Sequence, residues 1–292
     1  MKTKRIEMVV SPRSPHYVGD GFRVQTFIPI SNRLDMKRMD PFILMDYNSP
    51  HYFPPSDRPR GVGVHPHRGF ETVTIAYQGS VAHHDSSGGG GIIKEGDVQW
   101  MTAGSGVLHK EYHETNFSKA GGYFQMVQLW VNLPAKDKMT TPKYQSLVHE
   151  NIPVVTLDDE GGVIEVIAGE YNGVAGAAST FSPVNLMNAK LNTGGKGRFS
   201  FPSHYNTAVV VVSGSVLING DEVVNSDHFV LFENQGEDFT VEAKEESIVL
   251  VLSGEPFNEP IAAQGPFVMN TREQLMEAMQ DYNLGRFGYL ED

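Results

Sequence analysis

His65 and His67 lie two residues apart, and Glu71 follows within the alternating run 70-FETVTIAY-77. Alternate residues of a strand point the same way, so the two imidazoles share a face. Glu71 joins them there if the strand stays regular. Further on, 96-GDVQWMTAGSGVLHKEYHE-114 carries a second pair at the same spacing, His109 and Glu111. Two adjacent strands of a barrel, each turning one pair inward, would gather three imidazoles and a carboxylate. Nitrogen and oxygen donors in that mixture suit a divalent first-row metal. Four protein ligands on a six-coordinate ion leave two positions open, enough for dioxygen and a chelating substrate. The imidazoles must be neutral and the carboxylate ionised, so binding should weaken in acid. A lone His-x-His is more often a pair of solvated or hydrogen-bonded histidines than a ligand pair. The second pair, behind a Gly-rich turn, is what favours a metal.

The other histidines carry weaker signals. His83 and His84 precede Asp85 and a Ser/Gly run and read as a polar loop. His113 continues the alternation from Glu111, but at a strand end it could equally face solvent. His16, His51, His149, His204 and His228 have no partner at ligand spacing and read as structural. The run 88-GGGG-91 lacks a following Lys-Ser/Thr and a helix, so it reads as a turn and not a phosphate loop. Trp100 and Trp130 sit in strand patterns and read as core.

The elements that must hold these residues are short strands. Candidates are 70–77, 97–102, 122–133, 163–169, 207–220, 228–233 and 247–254, rich in β-branched and aromatic residues and bounded by turn formers. The pattern predicts an antiparallel sandwich or barrel. One helix is expected near the end of the chain, capped by Thr271 with Gln274 completing a capping box and Gly285 just past its last turn. Leu275, Met276, Met279 and Tyr282 are placed on its apolar face. A weak repeat relates 74-TIAYQGSVAHH-84 to 209-VVVVSGSVLIN-219, and 96-GDVQWM-101 to 226-SDHFVLF-232. Two copies of one β unit would explain the length. The polar segment 134-PAKDKMTTPKY-144 marks the junction, dividing the chain into 1–134 and 135–292.

Bulk properties narrow the function classes. The 292 residues carry a net charge of −12, which gives no overall attraction to DNA or an anionic membrane. There is no cysteine, which removes disulfides and thiolate metal sites and disfavours structural zinc. The apolar stretch after the first basic residues is cut by Glu7 and Pro12, too short for a signal peptide. No run approaches the ~18 apolar residues of a membrane span. A soluble cytoplasmic protein is expected.

The motifs HPHRGFETVT, GDVQWMTAGSGVLHKE and QLWVNLP, with 254-GEPFNEPIAAQGPFVMNT-271 near the end, resemble the pirin family of the cupin superfamily over nearly the whole chain. The resemblance implies an all-β bicupin: two antiparallel jelly-roll-like barrels in tandem, with a short C-terminal α-helix. It implies one metal ion in the N-terminal barrel, foremost iron(II), with Mn, Co, Ni, Cu or Zn as alternatives. Carried over residue by residue, the ligands fall on His65, His67, His109 and Glu111. In many other cupins the carboxylate ligand follows the His-x-His motif, which here would be Glu71. Glu111 is taken as the ligand and Glu71 as its neighbour, hydrogen-bonding a ligand or substrate. In the second copy Ser200, Pro202 and Asn206 fall where His65, His67 and Glu71 stand, and the His109 place falls near Phe239. That barrel is expected to hold no metal and to act structurally, closing one side of the N-terminal cavity.

Some pirin-like proteins resemble quercetinases, which open a flavonol ring with dioxygen and release carbon monoxide. That implies a small aromatic substrate and O2 as partners. Glu111 or Glu71 would accept the substrate's hydroxyl proton, and Phe53, Phe70 or Phe124 would line an apolar pocket, core packing being the commoner role for each. The alternative is a non-enzymatic iron-binding regulator whose metal redox state controls binding to a protein partner.

Overall fold

The computed structural model describes residues 2–292. The apolar runs become antiparallel strands, because each alternates residues that two stacked sheets can bury. Contacts divide the chain into two compact units. One comprises Ser14–Arg38, Phe42–His149 and Phe257–Asp292 and carries the histidine pairs. The other comprises the chain up to Arg13, Met39–Pro41 and Glu150–Pro256. Each unit is built from a seven-stranded sheet and a four-stranded sheet. This is the expected two-barrel, nearly all-β architecture.

In the histidine-bearing unit the four-stranded sheet runs Gly61–His67, Val107–His113, Val81–Asp85, Gly90–Ile93. In its seven-stranded sheet, Phe70–Gln78 lies between Val98–Thr102 and Gly122–Asn132, and Phe42–Phe53 follows Gly122–Asn132. The repeat is present in the backbone. Gly79 and Gly214 occupy the same turn of the two units, with φ of +84° and +80°. Glycine is favoured there because a Cβ is strained at positive φ.

The units differ from a single cut at 134/135. Strand Lys143–Leu147 hydrogen-bonds to Val98–Thr102, so the segment after residue 134 stays with the first barrel. Lys138, expected in a linker, is buried there, its Nζ donating to the carbonyls of Gly69 and Val268 and to Asn132 Oδ1 at 2.8–2.9 Å. Strand Ile6–Val10 pairs with Phe229–Phe232 of the second barrel. The C-terminal helix Arg272–Asn283 belongs to the first unit, not the second.

That helix starts at the expected capping box of Thr271 and Gln274, and Gly285 follows its end at φ +71°. Its inner face is Leu275 and Ala278, with Met279 packed against the cluster of Phe267, Met269 and Phe287. Met276 turns outward and is 56% exposed, contrary to its expected place on the apolar face. One step from Leu275 is a 100° rotation, whereas residues three and four along return to the same side. Buried Arg68 holds the helix to the site strand, donating to Asp281 Oδ2 at 2.9 Å. Among the described residues no helix is long and apolar enough to cross a membrane.

Candidate metal centre

Strands Gly61–His67 and Val107–His113 pair antiparallel with His65 opposite His109. On the other side of Val107–His113, Asp85 stands opposite His109 and His83 opposite Glu111. Opposed residues share a face, so His65, His83, Asp85, His109 and Glu111 all turn inward. The burial pattern agrees: Val107, His109, Glu111 and His113 are buried, and the residues between them are partly exposed. The register shifts between His109 and Glu111, where the latter meets Val62. A bulge of this kind re-aims side chains and is common beside sites.

The ring centroids of His65, His67 and His109 lie 4.2–4.9 Å apart. Their candidate ligand atoms form one group within 4.8 Å, and those of His83, His109 and Glu111 form a second. His109 belongs to both. Each imidazole of the first group uses its Nδ1. That of His65 meets the Gly63 carbonyl at 2.8 Å, and that of His67 makes a long contact of 3.4 Å with the Pro266 carbonyl. That of His109 faces His83 Nδ1 at 3.4 Å. A neutral imidazole that donates from Nδ1 has its lone pair on Nε2. His109 Nε2 is buried with no hydrogen-bond partner. Burial, reinforced by the neighbouring imidazoles, holds His67 and His109 well below the usual histidine range and so keeps them neutral, the form that ligates. An orphaned buried nitrogen among neutral imidazoles and a carboxylate fits a divalent first-row metal.

Glu111 Oε1 lies 3.4 Å from Thr74 Oγ1, which donates more closely to Gln128 Oε1 at 2.7 Å. Beside this cluster is a cavity of about 340 Å³. Its walls include His65, His67 and Glu111, the apolar Phe22, Leu44, Met126 and Trp130, and the polar Asp46, Asn48 and Gln128. Trp130, expected in the core, therefore faces the cavity, stacked on Phe70 at 4.2 Å with the edge of His67 at 5.2 Å. Trp100 is fully buried, as expected. Asp46 accepts from Thr26 Oγ1 at 2.6 Å, and burial raises its carboxyl above the usual range. Both amide atoms of Asn48 are buried without a partner.

Glu71 is not beside the histidines. It pairs with Thr102 and Val131, whereas the cavity residues Gln128 and Trp130 pair with Thr74 and Thr72. Glu71 thus occupies the opposite face of its sheet, where Thr102 Oγ1 donates to it at 2.7 Å. Burial pushes its carboxyl up to about 7. The cause is Gly69, at φ +90°, which ends one strand before the next begins at Phe70. Strand parity does not carry across that break. A Cβ on Gly69 would collide with the Val268 carbonyl.

Other expectations also shift. His83 is no loop residue but is fully buried in strand Val81–Asp85, while its neighbour His84 is exposed. The His83-x-Asp85 spacing was its available signal, obscured by the following Ser/Gly run. His113 is buried, its Nε2 2.8 Å from the Gly21 carbonyl, among the rings of Phe22, Phe53 and Phe124. Phe53 and Phe124 pack there in a core cluster, the commoner of the two roles expected of them, and only Phe70 of the three adjoins the histidine group. Asp46, Asn48 and Gln128 had no recognisable spacing signal. Residues of the C-terminal segment also reach the site strands: Asp292 Oδ1 accepts from Val64 N at 3.3 Å and Tyr112 Oη at 2.9 Å.

Residues 21–131 match the pirin family, and residues 186–288 match the pirin C-terminal cupin domain. A Pseudomonas aeruginosa protein named "Putative quercetin 2,3-dioxygenase" is 47% identical over 284 residues, 97% of this chain and 98% of that protein. Human pirin is 36% identical over 276 residues, 93% of this chain and 90% of that protein. The crystal structure of quercetin 2,3-dioxygenase from Acinetobacter baumannii aligns with a TM-score of 0.92 at 48% identity, covering 99% of this chain and 100% of that one. With both barrels matched and relatives similar along nearly their full length, the chain belongs to the pirin family.

Proposed function

We propose that the protein is a metal-dependent dioxygenase of flavonol-like substrates such as quercetin. His65, His67, His109 and Glu111 would hold the metal, with iron(II) the foremost candidate. The observation that carries this reading is the convergence of three imidazoles, each with Nδ1 engaged, on the wall of a largely apolar cavity. The family implies a metal, and the similarity to proteins named quercetin 2,3-dioxygenases supports the substrate class.

When bound, a divalent metal supplies Lewis acidity, and iron adds one-electron redox capacity. The chain's own residues do the rest. Phe22, Leu44, Met126 and Trp130 receive flat aromatic rings and exclude water. A cavity of about 340 Å³ lies toward the small end of the range for enclosed small-molecule sites. Two carboxylates face it, Glu111 and Asp46. Glu111 completes the donor set. Asp46, raised by burial and so a stronger base than an exposed carboxylate, accepts the substrate's hydroxyl proton. Asn48 and Gln128 orient polar ring substituents. Glu71, on the far face of its sheet, takes no part.

The test is oxygen uptake by iron-loaded protein given quercetin, with His109→Ala as the control. Uptake that needs both iron and His109 is the expected outcome. Iron retained at full occupancy by His109→Ala would refute the ligand set. No uptake by iron-loaded wild type would refute the dioxygenase reading and leave an iron-dependent binding protein.

A further inference from the structure

We propose that Asp85 and His83 form a hydrogen-bonded chain to His109 that holds its imidazole in the one tautomer able to ligate through Nε2. This makes His83 and Asp85 positioning residues of the metal centre. The inference rests on the reading of His109 as a ligand.

The argument follows the protons. A neutral imidazole carries one N–H. If His109 ligates through Nε2, its proton is on Nδ1. That atom faces His83 Nδ1 at 3.4 Å. Two Nδ1 atoms can share a hydrogen bond only if one accepts, so His83 carries its own proton on Nε2. His83 Nε2 faces Asp85 Oδ2 at 3.6 Å. Both of these atoms are buried, and neither has another hydrogen-bond partner. The distance is long for a hydrogen bond, but each is the group the other lacks.

Asp85 is itself held. Its Oδ1 accepts from Ser87 N at 2.8 Å, Ser87 Oγ at 2.6 Å and Gly89 N at 2.9 Å. Oδ1 is thereby occupied by donors, and Oδ2 is left for His83. Tyr144 stacks on the His83 ring at 5.3 Å and 23°, which sets its plane. The run 85-DSSGG-89 is thus the holder of the chain's far end.

A competing arrangement exists. His83 Nδ1 lies 3.9 Å from Glu111 Oε1 and could donate to it instead. His83 would then offer His109 no acceptor, and the His109 proton would be driven to Nε2, blocking the lone pair a metal needs. In a neutral His83, which has one proton to place, the Asp85 carboxylate, which can only accept, selects against that arrangement. Partners of a ligating histidine usually act this way, and losing one lowers metal affinity by about 10–100-fold.

Asp85→Asn is the sharpest probe because it is isosteric. With its oxygen still turned to Ser87 and Gly89, its amide donates to His83 Nε2. The protons of both imidazoles then reverse. We expect cobalt(II) affinity to fall about 10–100-fold in Asp85→Asn, and similarly in His83→Phe, which keeps the ring packing on Tyr144 but removes the acceptor. Ring ¹⁵N shifts in the zinc-loaded wild type should place the His83 proton on Nε2. The inference is overturned if both variants bind cobalt(II) as wild type does, or if the zinc-loaded protein carries that proton on Nδ1. It is also overturned if His83→Phe loses the metal as completely as His109→Ala, because His83 would then be a ligand. Should His83→Phe not fold, Asp85→Asn and the wild-type ¹⁵N shifts decide. These readouts need no substrate, so failure of the dioxygenase reading leaves them standing, and metal retention by His109→Ala would overturn the ligand set on which they rest.

Discussion

The two barrels repeat one strand order except at one edge, filled by Lys143–Leu147 in the first and by Ile6–Val10 in the second, and differ in what the equivalent strands turn inward. In the first, Gly61–His67 and Val107–His113 set His65 opposite His109, with ring centroids 4.2 Å apart. In the second, Lys196–Ser200 and Asp238–Ala243 set Phe199 opposite Phe239, stacked at 5.1 Å. Around that pair are Phe201, Phe232, Val216, Ile218 and Val241. The same cross-strand place thus holds a donor pair in one barrel and an apolar pair in the other, with Phe199, and not Ser200 as the aligned repeat predicts, in the place of His65. Buried polar atoms left without partners are destabilising unless a ligand satisfies them, whereas buried phenyl rings stabilise directly. One copy of the fold spends its interior on a site, and the other on a core.

The largest test of that contrast is Phe239→Ala. Truncating a buried aromatic should destabilise the protein by about 3–5 kcal/mol while leaving metal content unchanged. Chemical denaturation and metal analysis of the folded protein measure the two halves of this expectation. Loss of metal would show that the second barrel's interior is not the purely structural core drawn here.

Glu71 sharpens the comparison next, because Asn206 occupies its place in the second copy. Its folded pKa is raised from 4.5 to about 7 by burial. A raised carboxyl contributes stability that is fully present below pH 4.5 and is lost as pH rises through about 7. Glu71→Gln, which still accepts from Thr102, should therefore match wild type near pH 4.5. It should be the more stable protein at pH 8, by at most about 3 kcal/mol. Denaturant midpoints across that range check the sign. A difference independent of pH would mean that Glu71 is not the buried acid described.

The smallest effect concerns Asp292, whose contacts with Val64 and Tyr112 brace the strands bearing His65 and His109. Asp292→Ala should speed hydrogen exchange at the Val64 amide with no measurable change in the melting temperature. Unchanged exchange would remove the brace from the account.

Much of the site was legible because it is local. His65 with His67, and His109 with Glu111, are each two apart within one strand, and a strand keeps parity over such short distances. Glu71 misled because its parity was extended across Gly69, where the chain changes sheet. His83 and Asp85 were obscured for the opposite reason: their strand is only five residues long and runs into serines and glycines. Asp46, Asn48 and Gln128 lie in strands buried on both faces, where polar residues give no sign of which side holds a cavity.

By itself the sequence determined the strand character of the runs, the duplication, the capping box at Thr271 and the pairs of donors, all set by neighbours a few residues apart. Only the tertiary structure decided which carboxylate meets the imidazoles, that the Pro266 carbonyl lies against His67, and that His83 lies between Asp85 and His109. Those outcomes depend on register between strands far apart in the chain, and a shift of one residue would turn every side chain concerned to the other face.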